Sequence, residues 1–335
     1  MNILLTGGAG YIGSHTAVSL VQQGYGIVLF DNLSNSRIDV VDAIEEITGI
    51  KVPLVVGDVR DTELVANTLK QYETKAVVHF AGLKAVGESV EYPLEYYSNN
   101  VEGTISLLQA MKNEHVKHLI FSSSATVYGE PEYLPIDESH PTKAINPYGR
   151  SKIIVEEILQ DLVVSDDQWG IGCLRYFNPV GAHDSGVIGE NPTDIPNNLM
   201  PYITRVADGA LPSLSIYGDD YETPDGTGVR DYIHVEDLAD GHVAALGFVL
   251  NNTGFHPINL GTGRGYSVLD IVNTFIAKTG KKVPYEFVNR RKGDVSSCYA
   301  DVSNAFKILG WKSKRDINKM CISAWNYQQK QKGRR

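Results

Sequence analysis

The chain has 335 residues, 42% of them hydrophobic and 21% charged, with 30 Lys and Arg against 40 Asp and Glu and a net charge of −10. That balance fits a folded protein of about two packed units and excludes intrinsic disorder, while the acidic surface argues against a nucleic-acid partner. Cys173, Cys298 and Cys321 are too few and too far apart for a disulfide framework or a CxxC metal pattern, so no metal site is expected. No run of 18 apolar residues suits a membrane span, and a strand pattern beginning at Asn2 leaves no room for a signal peptide. A cytoplasmic protein with no membrane partner is expected.

In chain order, short apolar runs predict buried parallel strands at Ile3–Thr6, Ile27–Phe30, Leu54–Gly57, Ala76–Phe80, Leu119–Ser122 and Ile171–Tyr176. Helical spacing lies between them, at Tyr11–Gln23, Ile38–Ile47, Leu64–Gln71, Leu94–Lys112 and Ser151–Val163. This alternation predicts an α/β fold: a doubly wound parallel sheet of the Rossmann type over residues 1–178. From Pro179 to Pro224, prolines, glycines and asparagines predict loops. Helices are expected again at Val235–Val249, Val268–Ala277 and Ile317–Tyr327, with a frayed polar tail from Gln328. The second unit, 179–335, reads as a smaller, loop-rich α/β substrate domain, with segments near 230–262 packing back on the first.

After the first strand, Gly7, Gly10 and Gly13 give G-x-x-G-x-x-G at the start of a helix, where a pyrophosphate can approach backbone N–H groups. Asp31 ends the second strand, 18 residues after Gly13. A carboxylate there accepts both adenosine ribose hydroxyls and repels a 2′-phosphate, which selects NAD over NADP. The later cluster from Gly261 to Gly265 lacks this spacing and reads as a plain strand-to-helix turn.

Tyr148 and Lys152 form Y-x-x-x-K at a helix start, on one face. A neighbouring ammonium and a positive nicotinamide ring both favour phenolate; bringing a tyrosine to neutrality needs ~3 pKa units, about 4 kcal/mol. Ser122-Ser123-Ser124 follows the fifth strand, where such sheets bind ligands, and Ser124 can hydrogen-bond a reacting oxygen.

These motifs, with FDNLSNS from Phe30, HFAGLKAVGES from His79, EYYSNNVEGT from Glu95, LRYFNPVGAH from Leu174, IPNNLMPY from Ile195, DGTGVRDYIHVEDLADGH from Asp225 and RRKGD from Arg290, run through nearly the whole chain. Together they resemble the extended short-chain dehydrogenase/reductase family, and within it the branch that epimerises UDP-hexoses. The resemblance implies a homodimer with bound NAD that inverts C4 of UDP-glucose and UDP-galactose through a 4-keto intermediate. It implies cofactor contacts from Gly7, Gly10, Tyr11, Ile12, Gly13, Asp31, Asn32, Asn35, Ser36, Asp58, Val59, Phe80, Ala81, Gly82, Lys84, Asn99, Tyr148, Lys152 and Phe177. The implied catalytic set is Ser124, Tyr148 and Lys152. UDP-sugar contacts would come from Ser124, Asn178, Asn198, Leu199, Ser215, Tyr217, Arg230, Arg291, Asp294 and Cys298. Arg230 and Arg291 would supply the local positive charge that a diphosphate needs.

Two alternatives stand beside this reading. Nucleotide-sugar 4,6-dehydratases carry an Asp-Glu pair just after the serine segment, where this chain reads Ser124-Ala125-Thr126-Val127-Tyr128 without a carboxylate. A non-catalytic NAD-sensing protein would dispense with Tyr148 or Lys152. Substrate breadth rests on Cys298: family members restricted to the simple hexoses commonly have a tyrosine there. A small residue leaves volume for a 2-acetamido group, so UDP-N-acetylglucosamine and UDP-N-acetylgalactosamine are expected as further substrates.

Overall fold

A computed structural model describes residues 1–192, 196–291 and 293–334; Ile195, Lys292 and Arg335, which fall within the motifs and tail above, lie outside the described residues. The strands are β1 (Asn2–Thr6), β2 (Gly26–Asp31), β3 (Leu54–Val56), β4 (Thr74–His79), β5 (His118–Ser124), β6 (Gly170–Tyr176) and β7 (Asn178–Val180). They continue with β8 (Leu214–Tyr217), β9 (Val229–His234), β10 (Gly254–Leu260), β11 (Gly265–Ser267), β12 (Tyr285–Val288) and β13 (Ser297–Cys298).

The main sheet has the order β10-β6-β5-β4-β1-β2-β3 and is parallel throughout. Its strands are apolar on both sides because helices cover both faces, one cluster built around Ile3, Leu5 and Leu29 and the other around Leu4, Val28 and Phe121. The strand order reverses between β1 and β4, which opens a crevice at their carboxyl ends.

Beyond Tyr176 the chain departs from the expected loops. A second sheet is built on β9, with β11 and β13 beside it and β7 also paired to it, and β8 pairs with β12. The helix Leu199–Ala207 fits inside the proline-rich stretch because the other five prolines lie outside it and Pro201 sits in its first turn, where a missing N–H costs nothing. β10 joins the main sheet beside β6, and the helix Val235–Val249 packs on β5, β6 and the helix Tyr11–Gln22.

Other boundaries also shift. The expected helix Leu94–Lys112 runs as Pro93–Tyr96, a wider π turn at Tyr97–Glu102, and Gly103–Asn113. Ser122, Ser123 and Ser124 end β5 instead of following it. The last helix runs from Ile317 to Arg334, so the tail is not frayed: Gln328 donates to the Asp208 carboxylate, and Lys330 Nζ donates to Ser185 O at 3.1 Å. Among the described residues, no helix is long and apolar enough to cross a membrane.

Candidate active site

The glycines of the first turn differ in what they are for. Gly7 has φ +66°, and a Cβ on it would meet Ala81 N at 2.6 Å; one on Gly13 would meet Gly7 O at 2.5 Å. Those two let the turn close upon itself and upon the end of β4. Gly10 is different: a Cβ there meets only Gly7 O, at 3.2 Å. Internal packing therefore explains Gly7 and Gly13 but makes little demand on Gly10, which caps the helix Tyr11–Gln22 and its unpaired first N–H groups.

Asp31 is buried at the tip of β2. Its Oδ2 accepts from Ala9 N at 3.0 Å, and Oδ1 from Leu33 N at 2.9 Å and Ser36 Oγ at 2.7 Å. The carboxylate thus ties the glycine turn to the loop bearing Asn32, Asn35 and Ser36. Past β3, Asp58 takes a bidentate pair from Arg60, at 2.9 Å and 2.7 Å, which holds it down at about 2. Val59 beside it is buried. At the end of β4, Phe80 N and Ala81 N donate to Thr6 O, and Gly82 follows. Lys84 is exposed and pairs with Glu190 at 3.1 Å; Glu190 also accepts from Asn198 Nδ2 at 2.6 Å. Asn99 lines an open cleft of about 430 Å³ with Arg60, Leu83 and Leu94. Tyr11 donates its hydroxyl to Gly181 O at 2.7 Å, joining the first helix to the strand-rich second half. Ile12 packs on the core beside it.

The helix carrying the Tyr/Lys pair starts at Pro147, not Ser151, because Asn146 caps it: Oδ1 accepts from Gly149 N at 2.8 Å, and Pro147 takes the first position. Tyr148 and Lys152 therefore occupy the first turns. Gly149 allows this helix start to press on the 125–127 turn, where a Cβ would meet Thr126 O at 2.8 Å. That close approach brings Tyr148 beside Ser124, whose hydroxyl favours the phenolate, although burial outweighs it and raises the phenol above its ordinary range. Ser124 Oγ also accepts from Thr126 N at 3.2 Å.

Lys152 does not bond Tyr148. Its Nζ donates to Ser122 O at 2.8 Å and stands 5.8 Å from the Tyr148 ring centroid, and burial lowers it to about 8. Burial dominates both groups, raising the phenol and lowering the ammonium.

Across the crevice, Arg230 on β9 and Arg291 both reach Asp294, at 4.0 Å and 3.0 Å. Arg291 also stacks on the Tyr217 ring, 4.7 Å from its centroid, and Ser215 sits two residues before Tyr217 on β8. Cys298 is the register partner of Arg230, and it packs on a cluster of Val127, Tyr128, Ile136 and Phe177 that also touches Ala125. This cluster joins the arginines to the Ser124 end of the site. Burial pushes the Cys298 thiol up to about 11, so it is neutral. Asn178 is exposed on β7; Asn198 and Leu199 begin the helix Leu199–Ala207.

The sequence reading missed several residues that build this site. Asn100, buried in the π turn, bonds Leu83 N at 2.8 Å, Leu83 O at 3.0 Å and Ser151 Oγ at 3.1 Å. Glu156 and Arg175 form a buried pair beneath Ser123. The Gly261–Gly265 turn links two strands, not a strand and a helix, and it wraps Asp231, which accepts from Thr262 N at 2.8 Å and Gly263 N at 2.9 Å. Only Glu156 left a sequence signal, at i+4 from Lys152.

A glycine turn at the switch point, a phenol beside a serine and a buried lysine one turn on define a dinucleotide-dependent site of the short-chain dehydrogenase/reductase class. A family model described as GDP-mannose 4,6 dehydratase matches residues 4–323. A Bacillus subtilis UDP-glucose 4-epimerase is 56% identical over 98% of this chain and 97% of its own, and the human UDP-glucose 4-epimerase is 52% identical over 97% and 96%. Among solved structures, the Stenotrophomonas maltophila UDP-glucose 4-epimerase with bound NAD and formylated UDP-arabinopyranose superposes with a TM-score of 0.98 at 49% identity, covering 100% of both chains. The Bifidobacterium longum enzyme in complex with NAD+ and UDP gives 0.96 at 51%, covering 98% of each. The chain belongs to the UDP-glucose 4-epimerases of the extended short-chain dehydrogenase/reductase family.

Proposed function

We propose that this chain is an NAD-dependent isomerase that inverts C4 of UDP-glucose and UDP-galactose. The observation that carries it is the Tyr148–Ser124 pair, with buried Lys152, at the carboxyl edge of the sheet beside the Gly7–Gly13 turn. The residues fit NAD: the open position at Gly10 and the helix start take the pyrophosphate, and Asp31 lies within reach of a ribose diol. Asn32, Asn35, Ser36, Asp58 and Val59 flank the adenosine end; Phe80, Ala81, Gly82, Lys84, Asn99 and Phe177 continue toward the reacting end. Bound there, NAD supplies the hydride acceptor and donor at C4.

The protein's own residues do the rest. Tyr148 takes the proton from the sugar 4-hydroxyl and returns it, Ser124 holds that oxygen, and Lys152 favours the phenolate. Arg230 and Arg291 neutralise the diphosphate, Asp294 accepts from the uridine ribose, and Asn178, Asn198, Leu199, Ser215 and Tyr217 complete the nucleotide wall. Firm anchoring of UDP with few contacts to the sugar lets the ketose present its other face. Cys298 leaves room for a 2-acetamido group, so the N-acetylated pair of UDP-sugars is also turned over.

We further assign residues 1–178 to cofactor and 179–335 to substrate, a cytoplasmic location, and a homodimer through the helices near 94–112 and 151–163. The reading is tested with purified protein and UDP-galactose without added cofactor. UDP-glucose should form, and acid should release NAD in near one-to-one amount. A requirement for NAD in every turnover, or a 4-keto-6-deoxy product, overturns it.

A further inference from the structure

We propose that Glu156 is a positioning residue for this reaction: through Ser123 it locks the helix bearing Tyr148 and Lys152 in register with β5, and it supplies a negative charge that favours the buried Lys152 ammonium. This rests on the reading of Tyr148 and Lys152 as catalytic.

Glu156 lies one helical turn beyond Lys152 and on the same face. Its Oε1 accepts from Ser123 Oγ at 2.5 Å and from Arg175 Nε at 3.1 Å, and its Oε2 accepts from the other arm of Arg175 at 2.5 Å. Ser123, Glu156 and Arg175 are all buried. The neighbours of Ser123 on the strand are the two nearest the site: Ser122 offers its carbonyl to Lys152, and Ser124 lies beside Tyr148. A slide of this helix along β5 would break both contacts together, and the Ser123–Glu156 bond opposes such a slide.

Stability alone is a poor reason for the ion pair, since apolar residues of the same volume commonly replace a buried pair at no cost. Its charge matters for another reason. Facing Lys152 are His79 from β4, the Phe121 ring and Ser122 carbonyl from β5, Cys173 from β6, and Tyr148 and Glu156 from its own helix; Arg175 lies behind, against Cys173 and Glu156. His79 is neutral, driven to about 3 by burial, and the Cys173 thiol is pushed up. Glu156 is the anion of this set. It opposes the burial that brings Lys152 down to about 8.

The test is the pH profile of kcat/KM for UDP-galactose, measured for wild type, Glu156→Gln, Ser123→Ala and Lys152→Ala. Glutamine keeps an acceptor for Ser123 but removes the charge and strands Arg175, so the ammonium is lost earlier and the alkaline limb should move down by about one pH unit. Activity at pH 8.5 should fall about eightfold, with KM changed less than about threefold. Ser123→Ala keeps the charge; its limb should stay in place while kcat drops several-fold. An unmoved limb in Glu156→Gln, with activity and melting temperature reduced alike at every pH, would show a structural role only. Should Glu156→Gln fail to fold, full kcat in Ser123→Ala overturns the register argument. If Lys152→Ala keeps the wild-type profile, the catalytic assignment itself fails, independently of Glu156.

Discussion

Burial of the Lys152 ammonium costs stability, and the size of that cost can be worked out. Burial lowers its pKa from 10.5 to about 8. A difference of 2.5 units corresponds to about 3 kcal/mol, by which the folded protein disfavours the ammonium relative to the unfolded chain. Because the folded pKa lies below the unfolded one, the unfolded chain binds more protons between pH 8 and 10.5. Stability therefore rises with pH across that window, and the full cost is present below about 8. Lys152→Met removes the cost but leaves the Ser122 carbonyl without its partner, a loss of about 1 kcal/mol. The variant should be inactive yet about 2 kcal/mol more stable at pH 7. With an unfolding entropy of roughly 0.7 kcal/mol/K for a chain of this length, its midpoint should rise by ~3 °C. The assay is thermal unfolding of both proteins, stripped of cofactor, at pH 7 and pH 10.5. A variant less stable at pH 7, or one with the same advantage at both pH values, refutes the reasoning.

Tyr148→Phe should lower kcat by at least about a hundredfold while retaining its NAD, because the ring is kept and only the proton-transferring hydroxyl is lost; cofactor content and turnover check this on one sample. Asp31→Ala should release NAD during gel filtration and narrow the preference over NADP, since it removes the proposed ribose acceptor together with the anchor of Ala9 N and Ser36 Oγ; unchanged cofactor content would contradict it. Cys298→Tyr should keep the UDP-glucose and UDP-galactose pair and lose the N-acetylated pair, because the ring is too large to pack on Val127, Tyr128 and Phe177 as the cysteine does and would take the volume proposed for the 2-acetamido group. A wild type with no turnover of the acetylated pair removes the volume argument.

The first six strands were legible because a parallel sheet covered on both faces needs continuous apolar runs, and these stand out between helical spacings. The strands after Tyr176 were not. β7, β11 and β13 are two or three residues long, and β8 and β12 alternate too briefly to separate from loop; each exists because β9 or a neighbour supplies its hydrogen bonds. The π turn at Tyr97–Glu102 was invisible for a similar reason. A single widened turn leaves the apolar spacing nearly unchanged, yet it brings Asn100 to Leu83 and Ser151.

The site divides along the same line. Motifs within a few residues of one another, the glycine turn and the Tyr148–Lys152 pair, were readable because one turn or one helix face fixes their geometry. What was missed depends on partners far along the chain. Asp231 accepts from Thr262, Gly263 and Ala300; Asp237 accepts from Lys314 N and Arg315 N; Glu156 holds Ser123 and Arg175. A sequence with a net charge of −10 presents its carboxylates as a solvated surface, and that is where most acidic residues belong. A buried carboxylate survives only where donors converge on it, and those donors come from segments that meet only in the fold. The acids that shape this site are therefore the ones that charge counting misplaces: Asp31 pins the cofactor turn, Asp231 pins the loop before β11 against β9, and Glu156 pins the catalytic helix to its strand.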